Sequence, residues 1–297
     1  MPVLVSPHAL DSLLTRGHDV RILDVRWALG VPDGRPAYRD GHLPGAVYVD
    51  LEAELSGHGV PTDGRHPLPS VADLQAAARR WGIRAQDTVV VYDDAGGLAA
   101  ARAWWLLGHA GLADVRILDG TLAAWRAAGL PLVSGEEAAP PPGDVRLSYG
   151  HRPVIDADEA AGLPARGVLL DARAAERYRG EHEPVDPRAG HIPGALSAPT
   201  GDNLTGDGRF RPAAELAARF DALGAGADDT VAVYCGSGVT AAHTVAALAV
   251  AGREAALFPG SWSAWSADPA RPVATGPSPS PSSPVPSAHD AIPGATA

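Results

Sequence analysis

One cysteine occurs in the 297 residues, Cys235, and its neighbours are those of a nucleophile. In VAVYCGSGVTAAHTVAALAV, the apolar run Val231–Tyr234 reads as a buried strand ending at the cysteine. Gly236-Ser237-Gly238 then reads as a tight turn, and a helix opens near Val239 or Thr240. Parallel α/β sheets gather ligands at the carboxyl ends of their strands. Two glycines let backbone N–H groups converge on one point, and a helix N-terminus adds partial positive charge. Both effects favour an anionic, nucleophilic sulfur, provided that it can be reached from solvent. The common fate of a lone intracellular thiol is that of a small buried hydrophobe; the turn and the helix start argue against it here.

Several chemistries are excluded by residue type. A phosphatase loop needs an arginine six residues after its cysteine to hold a phosphate dianion, and that position is Ala241. A single thiol cannot form an intrachain disulfide or a multi-thiolate zinc or iron–sulfur site. The 11 histidines show no HExxH or comparable ligand spacing, so no metal and no cofactor is expected. A Cys-His hydrolase stays open, because histidines are available and spacing does not choose among them.

The elements that must position Cys235 occur twice. VRILDVR ending at Arg26 returns as GVLLDAR ending at Arg173, and GHLPGAVYVD with His42 returns as GHIPGALSAP with His191. VVVYDDAGGLAAA with Asp93 returns as VAVYCGSGVTAA with Cys235, and LDGTLAAW ending at Trp125 returns as FPGSWSAW ending at Trp265. Two homologous halves follow. The copy of the cysteine position is Asp93, so one half is expected to be catalytic and the other supporting.

Buried strands are predicted at Ile22–Val25, Val47–Val49, Thr88–Tyr92, Val115–Leu118, Val168–Asp171 and Thr230–Tyr234. Amphipathic helices are predicted at Val71–Trp81, Leu98–Gly108, Thr121–Gly129, Ala213–Leu223 and Val239–Gly252. Alternation of the two means α/β domains, each a mainly parallel central sheet flanked by helices. The expected boundaries are 1–132 for the first domain, 133–152 for a Pro-rich linker, 153–275 for the second domain and 276–297 for a disordered Pro/Ser-rich tail. The tryptophan pairs Trp104-Trp105 and Trp262/Trp265 read as packing of helices onto sheet, and Trp27 as a residue that could line the cleft.

A hydrophobic share of 45 % and a charged share of 20 % suit a soluble globular protein. The excess of 35 acidic over 24 basic residues, net −11, argues against nucleic acid as a partner. No run approaches a membrane span and the first residues lack a secretion signal, so the expected compartment is the cytoplasm.

Taken together, GHLPGA and GHIPGA, LDVR and LDAR, the aspartate in the first loop and CGSGVTA followed by GSWSAW resemble the tandem-domain rhodanese family of sulfurtransferases. The resemblance implies double displacement: the Cys235 thiolate takes a sulfur from a small donor as a persulfide and passes it to cyanide or a thiol, a thioredoxin-like reductant among them. Family members with a CGSGVTA-type loop resemble 3-mercaptopyruvate sulfurtransferases, whereas Arg and Lys after the cysteine mark thiosulfate-preferring rhodaneses. The alternatives implied are therefore thiosulfate:cyanide transfer and a persulfide-carrier module. Backbone amides of Gly236, Gly238, Val239 and Thr240 would hold the anionic sulfur. By the same resemblance Arg177 would bind the donor's anionic group, with Arg188, or else Arg179, as a second cation. The family's Ser-His-Asp arrangement would fall on Ser237, His42 and Asp33.

Overall fold

The computed structural model describes residues 2–277. In the first half the elements are β1 (Leu4–Val5), α1 (Pro7–Thr15), β2 (Val20–Asp24), α2 (Arg35–Asp40), β3 (Ala46–Tyr48), α3 (Leu51–Glu54), α4 (Val71–Arg80), β4 (Thr88–Tyr92), α5 (Leu98–His109), β5 (Val115–Leu118) and α6 (Thr121–Ala127). The second half contains α7 (Ala157–Gly162), β6 (Val168–Asp171), α8 (Ala175–Arg179), β7 (Leu196–Ser197), α9 (Ala213–Ala222), β8 (Val231–Tyr234), α10 (Val239–Val250), β9 (Ala256–Leu257) and α11 (Ser261–Ala267). Their strands form two parallel sheets, ordered β1-β5-β4-β2-β3 and β7-β6-β8-β9. Among the described residues no helix is long and apolar enough to cross a membrane.

Strands β4, β5 and β6 coincide with the sequence expectation, and β2, β3 and β8 differ from it by one or two residues at their ends. Strands β1, β7 and β9 were not foreseen, because two residues are too few to show a period. In both sheets the strand that carries the loop of interest is central and wholly or almost wholly buried. Its register sets Tyr92 beside Asp24 and Tyr234 beside Asp171.

The repeated motifs act as fasteners. Arg26 pairs with Asp24 at 2.7 Å and donates to the Gly41 carbonyl, and Arg173 pairs with Asp171 at 2.6 Å and donates to the Gly190 carbonyl. LDxR thus ties each strand end to the first glycine of GHxPG, and the buried charge is matched by a carboxylate and carbonyls.

Helices α5 and α10 are apolar almost all round, as helices buried on every side must be, and they pack on each other across the two halves. Within residues 133–152, expected to join the halves, residues 134–152 contain no helix or strand and lie along the first half. Val145 and Leu147 are buried there, Arg79 donates to the Val145 carbonyl at 3.0 Å and Arg152 lies 3.6 Å above the Trp104 ring. Of the tail from Gly276, all but the first two residues fall outside the described residues.

Candidate active site

Cys235 follows the last residue of β8, and Gly238 caps α10. Gly238 has φ +81°, and a Cβ there would stand 2.4 Å from the Pro259 carbonyl oxygen, so conformation and space both require glycine. The amide of Gly238 donates to the Cys235 Sγ at 3.1 Å. The amides of the first turn of α10 have no partner within the helix, as at any helix start. The loop is also clamped from outside: Cys235 N donates to Ser261 Oγ at 3.1 Å, while Trp262 N and Ser263 N donate to the carbonyls of Cys235 and Gly236 at 3.0 and 2.8 Å. Ser261 holds this clamp in a left-handed conformation at φ +52°.

The expected solvent access to the sulfur is not open in this conformation. Cys235 is 1 % exposed, with the apolar core behind it. The cover on the loop side includes charged groups. A Cβ on Gly236 would stand 3.1 Å from Arg65 Nη2 and 3.5 Å from Arg177 Nη1. Asp186 accepts from both guanidiniums, from Arg65 Nη1 and, at 3.2 Å, from Arg177 Nη2. Glu183 accepts from Arg177 Nη2 at 2.6 Å. An incoming anion can compete for such a layer, whereas it could not part packed hydrocarbon.

Ser237 is held from the other half. Its hydroxyl lies 2.7 Å from His66 Nδ1, and His66 Nε2 lies 3.1 Å from both carboxylate oxygens of Glu52. Glu52 as acceptor puts the ring proton on Nε2, which leaves Nδ1 to accept from the serine O–H. Trp27 donates to Glu52 Oε1 at 2.8 Å and stands edge-on to His66 at 5.5 Å, beside the chain that holds Ser237. Burial lowers the His66 pKa, against the opposing pull of Glu52, and keeps the imidazole neutral.

Arg102 on α5 is fully buried and forms no carboxylate pair among the described residues. It donates to the carbonyls of His66 at 3.0 Å, Leu55 at 3.2 Å and Gly238 at 3.5 Å. Burial lowers its pKa to about 10, so it remains a cation at neutral pH. Its guanidinium lies behind the cysteine loop, at the Gly238 carbonyl.

The structure therefore redraws the expected constellation. Arg177, Ser237, Gly236, Gly238, Val239 and Thr240 all lie at or beside the cysteine loop. His42 does not meet Ser237: its Nδ1 bonds the Tyr38 carbonyl at 2.8 Å and its ring stacks on Tyr38 at 3.9 Å. His191 repeats that arrangement with Tyr178, which identifies GHxPG as a turn device. Asp33 is exposed and accepts from Arg35 N, ahead of α2. Arg188 spends its guanidinium on the carbonyls of Trp265, Ser266, Asp268 and Arg271, and Arg179 pairs with Glu181 in solvent. The residues that sequence reasoning missed are His66, Glu52, Arg65 and Arg102. One signal was available: GRHPLP and GRFRPA are copies of one segment, and His66 stands where the other copy has Phe210.

The chain has relatives among known proteins. The sequence matches the rhodanese-like domain over residues 6–128 and again over 156–268. It is 52 % identical over 280 residues to a Mycobacterium tuberculosis protein provisionally named thiosulfate sulfurtransferase SseB, covering 92 % of this chain and 97 % of that one. It is 51 % identical over 268 residues to a Pseudomonas aeruginosa protein provisionally named 3-mercaptopyruvate sulfurtransferase, covering 87 % and 93 %. The crystal structure of Escherichia coli SseA, described as a 3-mercaptopyruvate sulfotransferase, superposes with a TM-score of 0.75 at 32 % identity, over 88 % of this chain and 99 % of that one.

Proposed function

The chain belongs to the rhodanese-like domain family, with two copies in tandem, and on that premise we propose that it is a sulfurtransferase that takes a sulfane sulfur from 3-mercaptopyruvate through a Cys235 persulfide. The observation that carries the reading is the Gly238 amide aimed at Sγ from a helix start, in a loop without charged side chains.

The thiolate of Cys235 attacks the donor sulfur, an S–S bond forms and the C–S bond breaks. The donor's thiol proton passes to Ser237 Oγ as the serine proton moves to His66 Nδ1. The proton then returns to the carbon left behind, which departs as pyruvate. Glu52 holds the imidazole in the required tautomer and stabilises its cation. Backbone amides of Gly238 through Ala241 and the charge of Arg102 stabilise the outer sulfur until an acceptor thiolate or cyanide removes it and restores Cys235. Arg177 and Arg65 supply the cationic wall for the donor carboxylate. The cytoplasm suits this chemistry, since a reducing compartment keeps a lone thiol free.

Intact mass after incubation with 3-mercaptopyruvate tests the reading. A gain of about 32 Da, one sulfur atom, that disappears with cyanide and is absent in Cys235→Ser is the expected result; no gain in the unsubstituted protein overturns it. Thiosulfate is the second reading, favoured by the name of the Mycobacterium relative and by the two guanidiniums. The ratio of kcat/KM for the two donors decides between them.

A further inference from the structure

Two cations face the cysteine loop, and each is met by a carboxylate whose role differs from the other's. Glu183 belongs to the scaffold. Besides Arg177 it accepts from the amides of Val185 and Asp186 at 3.1 and 3.0 Å and from Arg173 Nη1 at 3.4 Å, all within its own half. Among the described residues Asp186, 2 % exposed at its side chain, has guanidinium partners only: Oδ1 takes Arg65 from the first half and Oδ2 takes Arg177 from the second. The arginine nitrogens it leaves free converge on Gly236. These are Arg65 Nη2 and Arg177 Nη1, and Arg65 Nε is buried without a partner beside them. Arg188, the remaining cation of the segment, is tied to carbonyls at the far side of α11.

Glu183 is shared with Arg173, so Asp186 is the carboxylate that the two guanidiniums at the cysteine loop hold between them. Resting on the sulfurtransferase reading, we infer that Asp186 is a positioning residue that sets donor choice. By cancelling one of the two cationic charges presented to the donor, it makes the site fit a monoanionic α-keto carboxylate and disfavours the compact dianion thiosulfate. A dianion gains twice as much as a monoanion from each unit of positive charge, so removing the Asp186 charge must help thiosulfate more. Asp186 also fixes the two guanidiniums with their free N–H groups toward Gly236, where a planar carboxylate can take one from each.

The test is Asp186→Asn, which keeps the size and an acceptor oxygen but removes the charge, assayed with both donors. The ratio of kcat/KM for thiosulfate to that for 3-mercaptopyruvate is expected to rise at least about tenfold, the effect of one unit charge about 12 Å away at an effective dielectric near 20. The thiosulfate rate should also fall more steeply with salt than in the unsubstituted protein. A residue that only ties the halves together would lower both rates by one common factor, and an unchanged or lower ratio overturns the inference. Should the amide variant not fold, Arg65→Gln tests the same point in the opposite sense, with the ratio expected to fall. Persulfide formation in the unsubstituted protein, read by mass, reports separately on the sulfurtransferase reading: loading of Cys235 without a change in ratio in the variants removes only the role of Asp186.

Discussion

The loops after β4 and β8 are two versions of one device. In the second half Cys235 accepts the Gly238 amide and leaves the first amides of α10 unused. In the first half Asp93 consumes the corresponding set: Oδ1 accepts from Ala95 N and Gly97 N at 2.9 Å, and Oδ2 from Ala99 N and Ala100 N at 2.9 and 3.0 Å. Each Asp93 oxygen is one bond beyond the atom that corresponds to Sγ, where a persulfide would carry its outer sulfur. On the proposed reading, the aspartate loop displays with a fixed carboxylate the electrostatic cradle that the cysteine loop offers to a transferable anion.

What faces each loop differs as much as the loops do. Arg102 of α5 reaches the cysteine loop at the Gly238 carbonyl, and His243, its counterpart on α10, reaches the aspartate loop, 3.8 Å from a Cβ placed on Gly97. His66 and Arg65 face the cysteine loop; their copies Phe210 and Arg209 serve the aspartate loop, where Phe210 stacks on His243 at 4.4 Å and Arg209 pairs with Asp119. Glu52 has Gly201 as its copy. A loop alone does not make a site. On the proposed reading the opposite half supplies the base, and it does so for one loop: His66 meets Ser237, whereas Phe210 stands at the matching place.

Exchanging loop chemistry is the harshest way to break the comparison. Cys235→Asp should fold as the first half does and lose transfer by at least about 10³-fold, measured with either donor. Asp93→Cys should not create a second persulfide site by mass, because Phe210 stands where a base is needed. Next in size is His66→Phe, which copies the first half's surroundings onto the active loop. We expect kcat to fall about 10²- to 10³-fold. In the unsubstituted protein the acid limb of the kcat profile should lie below the ordinary imidazole range, since burial lowers the His66 pKa, and that limb should vanish in the variant.

Two stability measurements sharpen the comparison from the inert side. Asp93→Ala strands three buried amides, those of Gly97, Ala99 and Ala100, and should cost about 3 kcal/mol in chemical denaturation, with transfer at Cys235 much less affected. His243 is the smallest effect. Full burial lowers its pKa to about 4, so the unfolded chain takes up a proton near pH 6.5 that the folded protein refuses until about pH 4. Stability from this group is complete above pH 6.5 and is lost as the pH falls towards 4, about 2 kcal/mol between pH 7 and 5. His243→Gln should lack that share of the acid sensitivity.

Much of the fold was legible because its signals are local. Val231–Tyr234 is a buried strand by composition, Gly238 must adopt a left-handed turn, and α5 and α10 are too apolar to lie at a surface. The histidine was misassigned for an instructive reason. His42 sits in a repeated motif that draws the eye, yet repetition in both halves marks a structural duty, here the bond to Tyr38 that His191 makes to Tyr178. His66 carries no motif and is separated by 171 residues from the serine it serves.

The doubled α/β architecture, the placing of the lone cysteine in one of two matching loops and the absence of charged side chains from that loop can be read from residues adjacent in the chain. Which first-half residues meet that loop follows from the packing of the two halves. Packing α5 against α10 brings Arg102, His66 and Glu52 to one loop and His243 and Phe210 to the other. Side-chain charge and hydrogen bonding act over a few ångströms of space, and the distance along the chain does not enter.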